Sequence, residues 1–168
     1  MNKVLYSILT SALFVTTCAS AEPYIGSGFQ HLHSQLDGKN TYGFFIQGGY
    51  DLGLMDISVS TGKTTGSGHS YVDMQGDIHS TQTDISFMDL GIGHRFDIAG
   101  LSVMPRIGVA KLDQHGQTNS AIEYGLTLGY PITKNLEISA SYNYMEASPV
   151  QGKNVDADGF DIGVNYHF

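Results

Sequence analysis

The chain has 168 residues, 16 acidic against 8 basic side chains, a formal net charge of −8 and one cysteine. That balance argues against nucleic-acid binding and against attraction to anionic lipid or sulfated glycans. Cys18 stands alone, so no disulfide and no dithiol chemistry is expected.

Residues 1–21 read as a secretory leader. Lys3 supplies the positive n-region, Val4 to Val15 the apolar run, and Ala19-Ser20-Ala21 a small-x-small cleavage site. Thr17 precedes Cys18 where a lipid-attachment site wants a smaller residue, so cleavage after Ala21 is expected. The domain is then 22–168, with 7 basic against 16 acidic side chains and a charge of −9. Past residue 21 no stretch approaches the roughly 20 apolar residues of a spanning helix.

Eight strands follow, each alternating with period two. The first, Tyr24 to His33, sends Ile25, Ser27, Phe29 and His31 to one face and Tyr24, Gly26, Gly28 and Gln30 to the other. Asp37-Gly38 is a two-residue hairpin signal. The second, Thr41 to Asp51, puts Tyr42, Phe44, Ile46 and Tyr50 on the apolar face and Gly43, Phe45, Gln47, Gly49 and Asp51 opposite. The third shows Met55, Ile57 and Val59 against Asp56, Ser58 and Ser60. In the fourth, Thr83 to Phe96, Met88, Leu90, Ile92 and Phe96 oppose Asp89, Gly91, Gly93 and Arg95. Ile85 and Phe87 break that phase, through a bulge or because they lie above the membrane.

The fifth strand, Leu101 to Leu112, sends out Leu101, Val103, Ile107 and Val109 and carries Pro105, which cannot donate to a ladder and predicts a local bulge. The sixth, Ser120 to Tyr130, shows Ile122, Tyr124, Leu126, Leu128 and Tyr130; the seventh, Leu136 to Met145, shows Leu136, Ile138, Ala140, Tyr142 and Tyr144. The last strand places Phe160, Ile162, Val164, Tyr166 and Phe168 on one face and Asp161, Gly163, Asn165 and His167 on the other.

A greasy outside around a polar inside suits a closed barrel in lipid, where every backbone group must be paired. A soluble barrel alternates the other way. Links after the second, fourth and sixth strands are short and the others long, as for periplasmic turns and external loops. Outward aromatics sort into two girdles: Tyr50, Phe96, Tyr130, Tyr166 and Phe168 below, Phe29, Tyr42, Tyr144 and Phe160 above. The expected fold is an all-β, eight-stranded antiparallel transmembrane up-and-down β-barrel in a bacterial outer membrane.

Tyr24-Ile25-Gly26-Ser27-Gly28-Phe29, the eight-strand spacing and Gly163-Val164-Asn165-Tyr166-His167-Phe168 together resemble the small outer-membrane barrels of the Ail/OmpX type, related in architecture to the OmpA membrane domain. The resemblance covers essentially the whole mature chain. It implies surface roles: adhesion, invasion, resistance to host defence or envelope maintenance. It also implies that Phe160, Ile162, Val164, Tyr166 and Phe168 form the signal read by the barrel-insertion machinery. The external loops carry Asp37, Asp73, Asp77, Asp113, Glu146, Asp156 and Asp158 against Lys39, Lys63, Lys111 and Lys153, a departure from heparin-binding members.

Few motifs carry chemistry. Gly62-Lys63-Thr64 is no phosphate loop, since Ile57 stands where the upstream glycine belongs and no helix follows. His31-x-His33 places two imidazoles on one strand face, without Cys or a carboxylate–histidine motif beside them. A lipid A-modifying enzyme needs a nucleophile–base pair at the rim. In His33-Ser34 and His79-Ser80 the neighbours point to opposite faces. Eight strands enclose a lumen that side chains fill, which argues against bulk permeation.

The reading is a non-enzymatic, monomeric surface barrel without cofactor or metal, whose loops mediate adhesion or contact with a host or envelope protein. The alternatives are a structural barrel for envelope maintenance and a lipid A-modifying enzyme. Its surroundings are outer-membrane lipid and lipopolysaccharide. The third external loop is read as a hairpin about Gln75-Gly76, pairing Tyr71 with Ser80 and Asp73 with Ile78. His69, Tyr71, Asp73, Met74, Gln75, Asp77 and His79 are its recognition residues. The same register puts Asp56 opposite Arg95, near Asp51, Glu137 and His167. Higher in the lumen, Arg106 is expected between Asp89 and Glu123.

Overall fold

The computed structural model describes residues 21–35, 39–66, 70–72, 78–80, 83–114, 117–147 and 156–168. Their strands in chain order are β1 (Glu22–Ser34), β2 (Lys39–Asp51), β3 (Met55–Gly66), β4 (Ser70–Val72), β5 (Ile78–Ser80), β6 (Thr83–His94), β7 (Phe96–Ile98), β8 (Leu101–Gln114), β9 (Gln117–Pro131), β10 (Leu136–Ala147) and β11 (Ala157–His167). β6 and β7 are two parts of one stave, and β4 and β5 form a separate hairpin. Eight staves pair antiparallel in sequence order, and β1 closes the wall by pairing with β11.

Closure can be followed residue by residue. Ladder partners run from Tyr24 through Gly49, Ser58, Gly91, Gly108, Glu123, Met145 and Ala157 back to β1 at Ser34. One circuit climbs from position 24 to position 34 of the same strand. A closed sheet with such a stagger has strands tilted roughly 35–45° to its axis. Among the described residues each of the eight staves finds ladder partners on both sides, though the β7 part of one stave pairs with β8 alone.

The faces follow the period-two reading. Ile25, Phe29, Phe44, Ile46, Leu90, Val109, Leu126, Ile162 and Val164 are exposed on the outer wall, while Tyr24, Phe45, Asp56, Asp89, Glu123 and Asn165 are buried inside. An outer surface this apolar, with polar groups inside, is stable only in hydrocarbon.

Three expectations are corrected. Ile85 and Phe87 neither sit on a bulge nor break phase: β6 keeps one register with β3 from Gly66↔Thr83 to Met55↔His94, and both side chains are buried in the lumen. Pro105 causes no bulge either. The β6–β8 register from Ile85↔Gln114 to Gly93↔Arg106 continues unchanged as Phe96↔Val103 in β7. Proline has no N–H to give, and the ladder lapses for two steps there, between Gly93↔Arg106 and Phe96↔Val103; on the other side of the stave the Arg95 N–H bonds Leu54 O at 3.0 Å.

The third correction concerns register. Asp56 faces Gly93, not Arg95, a slip of two residues. The hairpin pairs Ser70↔Ser80, Tyr71↔His79 and Val72↔Ile78, so Tyr71–Ser80 is one residue off. One continuous ladder was the assumption; the hairpin and the barrel wall are instead two ladders with separate registers. The Asp37-Gly38 and Gln75-Gly76 turns lie outside the described residues.

β7 and β8 are joined by Ala99-Gly100, with φ of 52° and 84°. Positive φ at both central residues belongs to the hairpin turn that matches strand twist, which favours Asn-Gly. A left-handed alanine costs about 1 kcal/mol. Ala99→Asn is therefore expected to stabilise the barrel by up to that amount, read as a higher urea midpoint in lipid vesicles.

Candidate functional site: a sealed lumen beneath an external hairpin

Inward side chains sort into two layers by distance from the end that carries both termini. Toward the long-loop end, Leu32, Ile85, Leu112 and Met145 are fully buried, with Phe45 and Phe87 beneath them. Alanines at 110, 121, 147 and 157 fill the narrow spaces between. A Cβ at Gly62 would come within 2.7 Å of Phe87 Cζ, so the ring occupies the space that this glycine leaves open. This apolar cap closes the lumen at its external end, and it was not foreseen.

Below the cap lies a polar layer. Arg106, on β8, is flanked by Asp89 on β6 and Glu123 on β9, because those strands are its two neighbours. Arg106 Nη2 donates to Asp89 Oδ1 at 2.7 Å, and Nη1 lies 3.5 Å from Glu123 Oε1. Ser60 Oγ also donates to Asp89 Oδ2. Gly125 makes room for the arginine stem, since a Cβ there would fall 2.8 Å from Arg106 Cγ. The guanidinium is held by one charge-assisted bond, to Asp89, and by ion pairing with Glu123, both of which strengthen in a low dielectric.

Nearer the termini Arg95 reaches Glu137 Oε2 at 3.2 Å and Asp51 Oδ2 at 3.4 Å. Asp56 is not its bonded partner. Instead the Tyr24 hydroxyl donates to Asp56 Oδ1 at 3.1 Å. Asn165 ties the seam: it accepts from Gln47 Nε2 at 2.6 Å and donates to Ser139 Oγ at 3.3 Å. The arginine keeps some contact with water (15% side-chain exposure). The lumen is thus apolar and closed above and partly open to solvent below.

At the long-loop end, Tyr71 and His79 oppose each other in the β4–β5 hairpin. His69, Asp73, Met74, Gln75 and Asp77 lie outside the described residues. Several charges counted as loop charges sit elsewhere. Lys63 is on the outer wall, 3.0 Å from Asp84. Asp156 is buried: it accepts from Tyr144 OH at 2.7 Å and from the Ala147 N–H at 2.9 Å, while Gln35 N–H bonds its carbonyl. It fastens the end of the last long loop to the rim. Nothing in its sequence neighbourhood marked it.

His31 stacks on Tyr42 with ring centroids 4.8 Å apart, and His33 Nδ1 bonds Asn40 Oδ1 at 2.9 Å. Among the described residues no set of three or more His, Cys, Asp or Glu side chains is placed to hold a metal ion. Phe160, Ile162, Val164 and Tyr166 line the outer wall of the last stave. Tyr166 and Phe168 meet edge-on at 5.2 Å, and the Phe168 N–H bonds Pro23 O at 3.0 Å.

Comparison with known proteins agrees with this geometry. Residues 6–168 match the outer membrane protein beta-barrel domain. Ail, the attachment invasion locus protein of Yersinia pestis, solved with the heparin analogue sucrose octasulfate, is 20% identical with a TM-score of 0.57, over 88% of this chain and 99% of that one. Neisserial surface protein A is 17% identical with a TM-score of 0.57, over 88% and 97%. A major outer membrane protein of Thermus thermophilus is 11% identical with a TM-score of 0.65, over 89% and 100%. No match is found among curated proteins. The chain belongs to the outer-membrane protein β-barrel family and resides in the outer membrane.

Proposed function

We propose that this barrel is a non-enzymatic surface protein whose external loops bind a host or envelope protein. The observation that carries this reading is the apolar cap. Leu32, Ile85, Leu112 and Met145 close the lumen just below the loops, so the barrel is a mount and not a conduit. What it presents is the β4–β5 hairpin, which stands apart from the barrel sheet. A two-stranded ribbon has free edges, and strand addition to such an edge gives affinity through the main chain. Ail, with the same fold, is by its name an attachment and invasion protein.

Deleting Ser70 to Ser80 is expected to abolish binding of intact cells to arrays of host proteins and envelope glycans. The barrel wall is untouched by this deletion, so heat-resistant migration on gels is expected to persist. Wild-type binding by the deletion strain would overturn the hairpin as the recognition element. Loss of envelope integrity with unchanged array binding would favour envelope maintenance instead.

A further inference from the structure

The mid-lumen holds more negative than positive charge and more acceptors than donors. Asp89, Glu123 and Asp161 face one guanidinium, Arg106, which also lies within electrostatic reach of Asp161. Asp89 is taken up by Arg106 and Ser60. The lumen cavity beside it, about 30 Å³ in all, is lined by Gln30, Glu123, Asn143 and Asp161, and elsewhere along its length by Arg106 and Arg95. All four are more than nine-tenths buried. Each has at least one oxygen that no hydrogen bond satisfies: Gln30 Oε1, both oxygens of Glu123 (Oε1 is ion-paired with Arg106), Asn143 Oδ1 and Asp161 Oδ1.

These oxygens come from neighbouring staves. Gln30 on β1 is the ladder partner of Asp161 on β11, and the Asn143 amide on β10 donates to Asp161 Oδ2 at 2.6 Å. Buried acceptors left unpaired are costly, and buried carboxylates in excess more so. A proton shared between two carboxylates serves only two of the five oxygens. A small cation with an oxygen shell offers several of them a shared partner.

We propose that this cavity is a binding site for a monovalent alkali cation of sodium size. Two carboxylates and two carboxamides, with no imidazole or thiolate, form a hard oxygen set. The volume exceeds the roughly 10–15 Å³ one water needs and excludes a large organic cation. Divalent ions take a richer carboxylate set than these two residues provide. Entry is from the periplasmic end, because the apolar cap closes the other.

The test uses the refolded barrel in neutral lipid vesicles, unfolded with urea in sodium chloride or N-methyl-D-glucamine chloride of equal ionic strength. At sodium ten times above its dissociation constant, the folded-to-unfolded ratio should rise about tenfold over the bulky cation. Asp161→Asn and Gln30→Met should remove that rise while both variants still migrate as folded barrels. ²³Na relaxation should show saturable binding to wild type and not to the variants. Equal stability in the two salts overturns the proposal, as does a sodium effect that survives both substitutions. Stabilisation by calcium or by falling pH without a sodium effect overturns it in favour of a divalent ion or a proton. None of these outcomes depends on what the loops bind.

Discussion

Arg106→Met is expected to destabilise the barrel by about 3–5 kcal/mol, the usual cost of removing one partner from a buried ion pair. The substitution leaves Asp89 and Glu123 facing each other across a lumen where both are almost wholly buried. The methionine fills the arginine stem's space above Gly125 but supplies no donor. Urea unfolding in lipid vesicles measures the loss. A second substitution, Asp89→Leu, should cost much less on the Arg106→Met background than alone, because the two share one bond of 2.7 Å. Wild-type stability in Arg106→Met would show that the guanidinium is not a lock.

Phe87→Ala is expected to cost about 3–5 kcal/mol by the large-to-small rule for buried rings. The ring lies between the apolar cap and the Asp89 layer, against Gly62, so its removal leaves a void where the two layers meet. The void should also connect water below to the cap above. Planar-bilayer recordings are then expected to show a small conductance absent from wild type. Lost stability without conductance would mean that Leu32, Ile85, Leu112 and Met145 seal the lumen unaided.

These two residues also mark what the sequence could and could not disclose. Arg106 was legible because period two fixes which face a residue takes, and consecutive antiparallel staves fix its neighbours. Faces alternate as expected even at Pro105, where the ladder lapses for two steps without shifting. Phe87 was misread because two apolar residues in a row of inward positions, Ile85 and Phe87, were taken as a break in phase, although Phe45 already stood on the inward face. An eight-stranded lumen is narrow enough to be filled, and at its external end apolar side chains fill it. Registers were less legible. Asp56 and Arg95 share a face as expected, but their offset depends on how the wall closes around eight staves, which no local pattern carries. Asp156 was hidden for a related reason: its partners, Tyr144 and the Ala147 N–H, lie across a loop that sequence reads only as polar.

The seam between β1 and β11 has a consequence for chain order. The Phe168 N–H already bonds the carbonyl of Pro23, so the two ends of the barrel lie side by side at the periplasmic rim. A short linker there, with new ends opened at Leu52-Gly53, describes a circular permutant that retains the whole wall ladder. In that molecule Phe160 to Phe168 would run through the interior of the polypeptide and keep all its neighbours, yet no longer end it. Permutation therefore tests the proposed insertion signal apart from the strand's place in the wall: a permutant that inserts normally would show that Phe168 needs only its neighbours.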